Sequence, residues 1–337
     1  MKMKKVLIPT DFSENSLAAL KFANHFIDHY GSSIDLIHVV PFGKYFVDSF
    51  EKLGLPLDMD SDVYPKVMSE AHDELERIAS EHLRREYRGH MHACVDRKVW
   101  HAICDYANRG EYDLILMSNK GAHASDFLRG SIAEKVIRHA KVPVLTVDES
   151  DHERGFNNVM VPVDLSDLSF AAIPIAFELA RFFEAKITFF HTIEMYASDI
   201  DGVAFAGPYT TTDAAYASLL NRIEGYFAAH EELNLFLKRT GVKFEDHLVW
   251  SDGSDSYTIP VTTTVVQGIS AHYEITEYAN EEADLLVMTT HGRTGLSKLF
   301  LGSTAGQVVQ HAESPVLTIK PEAMHKEVPN GNPEEEH

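Results

Sequence analysis

Residues 5–23 read KVLIPTDFSENSLAALKFA, and residues 158–176 read NVMVPVDLSDLSFAAIPIA. In both stretches a short apolar run ends at a proline and an aspartate, and apolar residues at helical spacing follow. Pro9 and Asp11 correspond to Pro162 and Asp164 at an offset of 153 residues. The pattern predicts a buried strand that turns into a helix, and the chain contains it twice.

The repeat extends far beyond these two stretches. IDLIHVV (residues 34–40) returns as ITFFHTI (187–193), and GSIAEKVIRHAKVPVLTV (130–147) returns as GSTAGQVVQHAESPVLTI (302–319). The offset grows from 153 to 172, so the second copy is nineteen residues longer in its middle. Matches in the same order and without low complexity indicate a duplication.

The duplication predicts a domain at residues 1–147 and a second at 157–320. Between them, Asp148 to Asn158 (DESDHERGFNN) is polar and lacks apolar periodicity, which is typical of a linker. Residues 321–337 are polar and acidic, and we predict a flexible tail.

Strands and helices alternate within each copy. The strands are nearly continuous apolar runs, which favours a parallel sheet with helices on both faces. Right-handed crossovers then favour a doubly wound α/β sheet of five strands per copy. Ser131 is expected to be the N-cap of the fourth helix in the first copy.

Composition excludes several classes of function. The formal net charge is −21 and the pI is near 5.3, which disfavours nucleic acid as a partner. The only cysteines are Cys94 and Cys104, so a disulfide framework is excluded and a reducing cytosol is indicated. No apolar run has the length of a membrane helix, and MKMKKVLIPTDF is not a secretion signal. We expect a cytoplasmic protein without a membrane partner.

A ligand of such a sheet is expected beyond the carboxyl ends of strands one and four, which lie side by side at the switch in strand order. In the second copy Asp164 follows strand one, where a carboxylate can accept hydrogen bonds from ribose hydroxyls. After strand four, a glycine-rich loop leads to Gly302 and Ser303 at a helix start, which favours an anion. The alternatives are that Asp164 and Ser303 only cap helices and that Gly292 only serves a turn.

Both copies resemble the universal stress protein family, and the chain is similar to its tandem type. The resemblance is carried by VLIPTDFSENSLAAL, VMVPVDLSDLSFAA, GSIAEKVIRHAKVPVLTV and HGRTGLSKLFLGSTAGQVVQHAESPVLTI, and covers residues 4–147 and 157–320. It implies two flavodoxin-like (Rossmann-like) domains with strand order 3-2-1-4-5. It also implies an intramolecular pseudo-dimer through the fifth strands VPVLTV and SPVLTI, and a homodimer is a further expectation.

ATP-binding members of this family carry a glycine, two residues, a glycine, nine residues, and then Gly-Ser or Gly-Thr. The second copy has Thr289 at the first position, then Gly292 and Gly302-Ser303, so only the first glycine is replaced. The β-branched Thr289 resists a positive φ and adds a Cβ near the sugar. The resemblance implies a nucleotide site formed by Pro162, Val163, Asp164, Thr192, Thr289, Gly292, Gly302, Ser303 and Thr304. By this resemblance, Asp164 contacts the ribose and the backbone at Thr192 contacts the adenine. The phosphates are bound by Gly292, Gly302, Ser303 and Thr304.

The first copy departs further from the motif. After Ser118 and Gly121 only eight residues precede Gly130-Ser131, so the loop is one residue shorter. We expect this copy to bind nucleotide poorly or not at all. The positions that correspond to the site, as weaker candidates, are Asp11, Val39, Gly121, Gly130 and Ser131.

The predicted function is a stress-response regulatory protein that binds ATP, or AMP or ADP, with magnesium, mainly in the second domain. One alternative is a module that binds an unknown protein and no nucleotide. The other is a slow ATPase. No catalytic residue is assigned, because neither a general base nor a metal-carboxylate cluster is evident.

Histidines and cysteines are a possible metal signal. His90, His92 and Cys94 alternate on a predicted strand, and His101 and Cys104 follow on a helix. No CxxC or HExxH pattern appears, so we predict no metal site. His38 and His191, at equivalent ends of strand two, are interpreted as structural hydrogen-bonding groups.

The extra length of the second copy lies in residues 194–220 and 242–270. The latter contains the turn-rich SDGSDS between FEDHLVW and YTIPVTTTVV, which predicts a β-hairpin near residues 243–268. One interpretation is that this hairpin only lengthens a surface loop. The other is that it forms a lid, or an edge that binds a partner, near the second site.

Overall fold

The structure is a computed structural model, and it describes residues 3–41, 64–119, 131–149, 151, 156–197, 204–206, 211–290 and 301–320. Most of the two glycine-rich loops lies outside the described residues, including Gly121, Gly130 and Gly292. The predicted tail at 321–337 also lies outside them.

The first half alternates strands and helices as its apolar pattern predicts. The helix after the first strand begins at the N-cap Ser13 and ends at Gly31, whose φ of 62° is left-handed and favours glycine. The elements are β1 (Lys5–Pro9), α1 (Glu14–Tyr30), β2 (Ser33–Pro41), α2 (Tyr64–His82), β3 (Arg88–Asp96), α3 (Val99–Arg109), β4 (Leu114–Ser118), α4 (Ser131–His139) and β5 (Val144–Val147).

The second half repeats this alternation with additions. Its first helix is split in two, because Pro174 at the start of the second piece has no N–H to continue the helical hydrogen bonds. The elements are β6 (Asn158–Pro162), α5 (Asp167–Phe170), α6 (Ile173–Phe183), β7 (Lys186–Ala197), β8 (Ala204–Ala206), α7 (Thr212–Ala229), β9 (Leu235–Val242), β10 (Glu245–Ser251), β11 (Ser256–Gly268), α8 (Ala271–Glu282), β12 (Leu285–Thr289), α9 (Ser303–His311) and β13 (Val316–Ile319).

The strands of both halves form one continuous sheet. Its order is β3-β2-β1-β4-β5-β13-β12-β6-β7-β11-β10-β9, and β8 pairs with β7 off this path. The predicted doubly wound order 3-2-1-4-5 is therefore confirmed in the first half, and the second half has the same order with β11 as its third strand. The pairs within each core are parallel.

The two halves join where β5 and β13 pair antiparallel, as the resemblance implied for these fifth strands. Val316 is opposite Thr146, and Thr318 is opposite Val144. Each threonine hydroxyl donates across this pair, to the carbonyl oxygens of Val316 and Val144, over 3.3 Å. Because the pairing is antiparallel, the carboxyl end of β13 lies beside the amino end of β5.

The predicted hairpin segment contains part of the core sheet. β10 and β11 are antiparallel, with Ser251 opposite Ser256 across the turn. β11 also pairs in parallel with β7, where the buried Val261 lies opposite the buried Ile187. Assigning the whole stretch to an insertion is therefore wrong, because β11 buries residues that the core needs. The outer additions are β9 and β10.

The sheet is covered on both faces. One apolar cluster contains Phe26 of α1 and Phe177 of α6, and the other contains Val136 of α4 and Val308 of α9. We call the second side, where α3, α4, α8 and α9 pack, the α4/α9 face. Phe156 belongs to the first cluster with 1% exposure, so the predicted linker is wrong at this end: its phenylalanine is core.

The start of α4 differs from the prediction. The helix α4 begins at Ser131 itself, so the prediction of Ser131 as N-cap is wrong. In the equivalent helix α9 the cap is the residue before the serine, because Gly302 has the extended dihedrals of a cap, φ −56° and ψ 148°.

Among the described helices, none is long and apolar enough to cross a bilayer.

Candidate functional site

The second half brings the predicted site residues to one edge of the sheet. β6 and β12 are parallel neighbours, with Val159 opposite Leu285 and Met160 opposite Leu286. The carboxyl ends of parallel strands meet at the same edge, so Asp164 and Thr289 lie on the same side of the molecule. Pro162 ends β6, and Val163 follows it with its N–H bonded to the carbonyl oxygen of Phe190 at 2.9 Å.

Asp164 is fixed by a serine two residues later. Its Oδ1 accepts hydrogen bonds from the backbone N–H of Ser166 at 3.0 Å and from the Ser166 hydroxyl at 2.5 Å. Leu165 between them has a φ of 69°, which folds the carboxylate back over the turn. The N-cap of α5 is Ser166, whose Oγ accepts from the N–H of Ser169 at 3.2 Å. The alternative that Asp164 merely caps the helix is therefore wrong.

The first half repeats this turn. Asp11 Oδ1 accepts from the N–H and the hydroxyl of Ser13 at 3.1 and 2.5 Å, and Phe12 has a φ of 65°. Ser13 in turn caps α1 by accepting from the N–H of Ser16. Our sequence reasoning missed the role of the two serines, although the signal was present as Asp-x-Ser in both copies.

Two equivalent histidines hold the backbone just before these aspartates. The Nδ1 of His191 lies 2.8 Å from the carbonyl oxygen of Val163, and the Nδ1 of His38 lies 2.8 Å from that of Thr10. A bond to a carbonyl places the proton on Nδ1, so each imidazole donates. The interpretation of both histidines as structural hydrogen-bonding groups is confirmed.

The start of α9 is tied to the end of β12. The N–H of Gly302 donates to the carbonyl oxygen of Thr290 at 2.8 Å, and the N–H of Thr290 donates to that of Ile319 at 2.8 Å. The cap residue Gly302 has no side chain with which to cap this helix, and Ser303 is the first helical residue. The alternative that Ser303 is the N-cap is therefore wrong. The first-turn N–H groups of Ser303 and Thr304 are the positive end of the helix dipole.

Thr289, the substituted motif position, is the last residue of β12 and is 7% exposed. It lies opposite Ile319 in the parallel register, and its φ is not positive. The expected conflict between a β-branched residue and a positive φ is therefore absent. The added Cβ remains the difference from the family motif.

Thr192, the predicted adenine position, carries a polar atom without a partner. Its Oγ1 is buried and has no hydrogen-bond partner among the described residues. Side chains alternate along β7, so Thr192 shares the side of Phe190, which packs in the cluster of the α4/α9 face. In the first half Val39 takes this position, is buried in the same cluster and has no side-chain polar atom.

The histidines and cysteines of the first half have other surroundings. His92 stacks on Tyr106 at 4.4 Å, and His101 Nδ1 is 3.8 Å from Asp96. Burial raises the pKa of Cys104 to about 12. Within the described ranges, no group of three His, Cys, Asp or Glu side chains is placed to hold a metal.

Known proteins show the same architecture. The model of the universal stress protein family matches residues 2–148 and 155–320. A universal stress protein of Methanocaldococcus jannaschii is 29% identical over 169 residues, which are 50% of this chain and 84% of that protein. A universal stress protein structure from Archaeoglobus fulgidus has a TM-score of 0.60 at 19% identity, covering 95% of this chain and 97% of that one. A putative one from Pseudomonas aeruginosa has a TM-score of 0.61 at 16% identity, covering 96% and 95%. These structures show a shared fold.

Proposed function

The chain belongs to the universal stress protein family, and we propose that it is a stress-response regulator that binds an adenine nucleotide in its second half. The proposed ligand is ATP, or AMP or ADP, with magnesium as companion of the phosphates. We place it in a domain at residues 157–320 and assign no nucleotide to the domain at 1–147.

One observation carries this proposal: a helix whose cap residue is a glycine starts beside the end of β12, and the neighbouring strand β6 is followed by a carboxylate held in place by hydrogen bonds. Gly302 is hydrogen bonded to the end of β12, and Asp164 follows the adjacent β6. Backbone N–H groups at a helix start bind phosphate, and a carboxylate at a strand end binds ribose hydroxyls. Both features lie at the same edge of the sheet, which is the arrangement that the ribose and the phosphates of one nucleotide require.

The remaining residues fit the same ligand. Asp164 is held by Ser166 in one orientation, so it is ordered before the ribose arrives. The Thr192 hydroxyl has no partner among the described residues, so a hydrogen bond to the base would remove the cost of burying this polar atom unpaired. Ser303 and Thr304 supply N–H groups and hydroxyls for phosphate oxygens, with Gly292 on the loop outside the described residues.

The first half lacks two of these features. Val39 replaces Thr192, and the loop before Ser131 is one residue shorter. A loop with one residue fewer cannot present the same N–H groups to a phosphate. The first half is therefore proposed to have a different role, although its Asp11 turn is the same as that of Asp164.

The test is to identify nucleotide in the purified, denatured protein by mass spectrometry and to measure thermal unfolding with millimolar ATP. A ligand that binds only the folded state raises stability, by about 2.7 kcal/mol at a concentration of 100 Kd. Gly302→Val should remove the shift, since its backbone dihedrals suit any residue while its side chain would cover the helix start. Gly130→Val, the corresponding change in the first half, should leave the shift intact. No co-purified nucleotide together with no shift in the parent would overturn the proposal.

A further inference from the structure

The antiparallel joint between the halves brings the end of α4 to the phosphate end of the proposed site. β13 runs opposite to β5, so the residue after Ile319 lies near the segment that connects α4 to β5. That residue is Lys320. Its neighbour Ile319 accepts from Thr290, and Thr290 accepts from Gly302, so two hydrogen bonds connect Lys320's strand to the start of α9.

Lys320 lies on the α4/α9 face of the sheet, at the joint between the halves. Side chains alternate along a strand, so Lys320 shares the side of Val316, which packs in the cluster of the α4/α9 face. The charge of Lys320 lowers the pKa of His139 on α4 and opposes the burial effect that raises the pKa of Cys104 on α3. The register of the joint and these electrostatic effects put Lys320 near the end of α4, one residue after the end of β13 that is hydrogen bonded towards the start of α9.

The basic side chains of Arg138, His139 and His101 lie on the first-half side of this point. Burial lowers the pKa of His139 first, and the neighbouring Lys320, Arg138 and His101 lower it further. His139 stacks on Trp100 at 4.3 Å, which fixes the imidazole. Acidic side chains lie beside two of these residues. Arg138 donates to Glu134 at 2.6 Å, and an oxygen of Asp96 lies 3.8 Å from Nδ1 of His101.

The duplication supplies an internal comparison. At the joint, the counterparts of Lys320, Arg138 and Lys141 are Asp148, Gln310 and Glu313, while His139 keeps its counterpart His311. Asp148 accepts from the Asn119 side chain at 2.9 Å, beside the end of β4. At these positions the side of the joint next to the start of α9 carries a lysine and an arginine, whereas the corresponding side carries an aspartate and a glutamine, within a protein of net charge −21.

We propose that the first half is a phosphate clamp for the second: Lys320 together with Arg138 and His139 binds the outer phosphates of a nucleotide seated at the start of α9. This rests on the proposed nucleotide function. Cations from both halves would then oppose the acidic field of the protein at this point and contact a polyphosphate directly. The clamp favours ATP over adenosine, and it involves residues that lie on opposite sides of the β5–β13 joint.

The test is isothermal titration calorimetry of the full chain with ATP, adenosine and inorganic tripolyphosphate. Lys320→Ala should weaken ATP and tripolyphosphate binding about tenfold, the effect of losing one charged hydrogen bond, and should leave adenosine unchanged. Arg138→Gln, which copies the residue of the other half, should weaken ATP to a smaller extent because Glu134 already pairs with the arginine. Lys66→Ala, an exposed lysine on α2, is the control for the same change in net charge.

The outcomes separate the two proposals. If the parent binds ATP and adenosine but Lys320→Ala and Arg138→Gln leave ATP unchanged, the clamp is overturned and the nucleotide function stands. If neither ATP nor adenosine binds while tripolyphosphate binds through Lys320, the cation set is supported as a polyphosphate site and the nucleotide function fails. If the parent binds none of the three ligands, both are overturned. Circular dichroism of each variant establishes that it is folded before titration.

Discussion

Ser166→Ala and Ser13→Ala are matched changes in the two halves that should have different consequences. Each serine caps a helix and also holds the aspartate two residues before it. We expect both variants to lose stability. Only Ser166→Ala should lose nucleotide binding, because only Asp164 belongs to the proposed site.

The size of each loss follows from the contacts. Replacing a serine N-cap by alanine costs about 1 kcal/mol. Ser166 also donates its hydroxyl to the half-buried Asp164 at 2.5 Å, and we add about 1 kcal/mol after discounting for solvent. The total is about 2 kcal/mol for Ser166→Ala. Asp11 is exposed, so the loss of unfolding free energy for Ser13→Ala should be about 1 kcal/mol.

The assay is urea unfolding followed by tryptophan fluorescence, combined with an ATP titration of the folded protein. The two tryptophans, Trp100 and Trp250, lie one in each half, so a Trp100→Phe background reports on the second half and Trp250→Phe on the first. Equal nucleotide affinities in the parent and Ser166→Ala would refute the reasoning that a fixed Asp164 is needed. A loss of affinity in Ser13→Ala equal to that in Ser166→Ala would refute the assignment of the site to one half.

Three further changes test separate parts of the structure. Gly89→Ala would place a Cβ 1.8 Å from the buried Asp35 carboxylate, and we expect the free energy of unfolding to fall by about 2 kcal/mol. The control Gly225→Ala adds a Cβ where α7 has open space around it, and it should raise the free energy of unfolding by about 0.5 kcal/mol. Equal urea midpoints for the two variants would contradict this prediction. Burial lowers the pKa of His92 below its usual value of 6.5. The contribution of His92 to stability is therefore present above pH 6.5 and is lost as the pH falls from there through the lowered pKa. His92→Phe should flatten the fall of the urea midpoint between about pH 7.5 and about pH 5.5. Thr289→Gly should tighten ATP binding by removing the extra Cβ and cost about 1 kcal/mol of unfolding free energy, whereas unchanged affinity in calorimetry would show that the threonine is tolerated.

The candidate site was predictable to the level of strand ends. Asp164 and Thr289 follow apolar runs in the sequence, and the rule that ligands lie beyond strand carboxyl ends puts them together. Their hydrogen bonds were not predictable in the same way. Whether Asp164 or Ser166 caps the helix depends on the φ of Leu165, and nothing in the side chain of a leucine favours the observed 69°.

The duplication, the alternation of strands and helices and the doubly wound class could be predicted from the amino-acid sequence alone. These properties are local: a strand buried on both faces must be apolar along its length, and a helix on a sheet must be apolar along one stripe. The resemblance to a family added the strand order, which local patterns alone do not specify.

The contacts between residues that are distant in sequence became visible in the folded structure. It assigned β11 to the core and left β9 and β10 outside, because register against β7 decides which apolar side chains are buried. It also brought Lys320 to His139 through the antiparallel joint of β5 and β13. Neither residue stands out in its own stretch of sequence, since a charge near a strand or helix end is ordinary there. The two residues are neighbours because the two halves of the chain pack edge to edge.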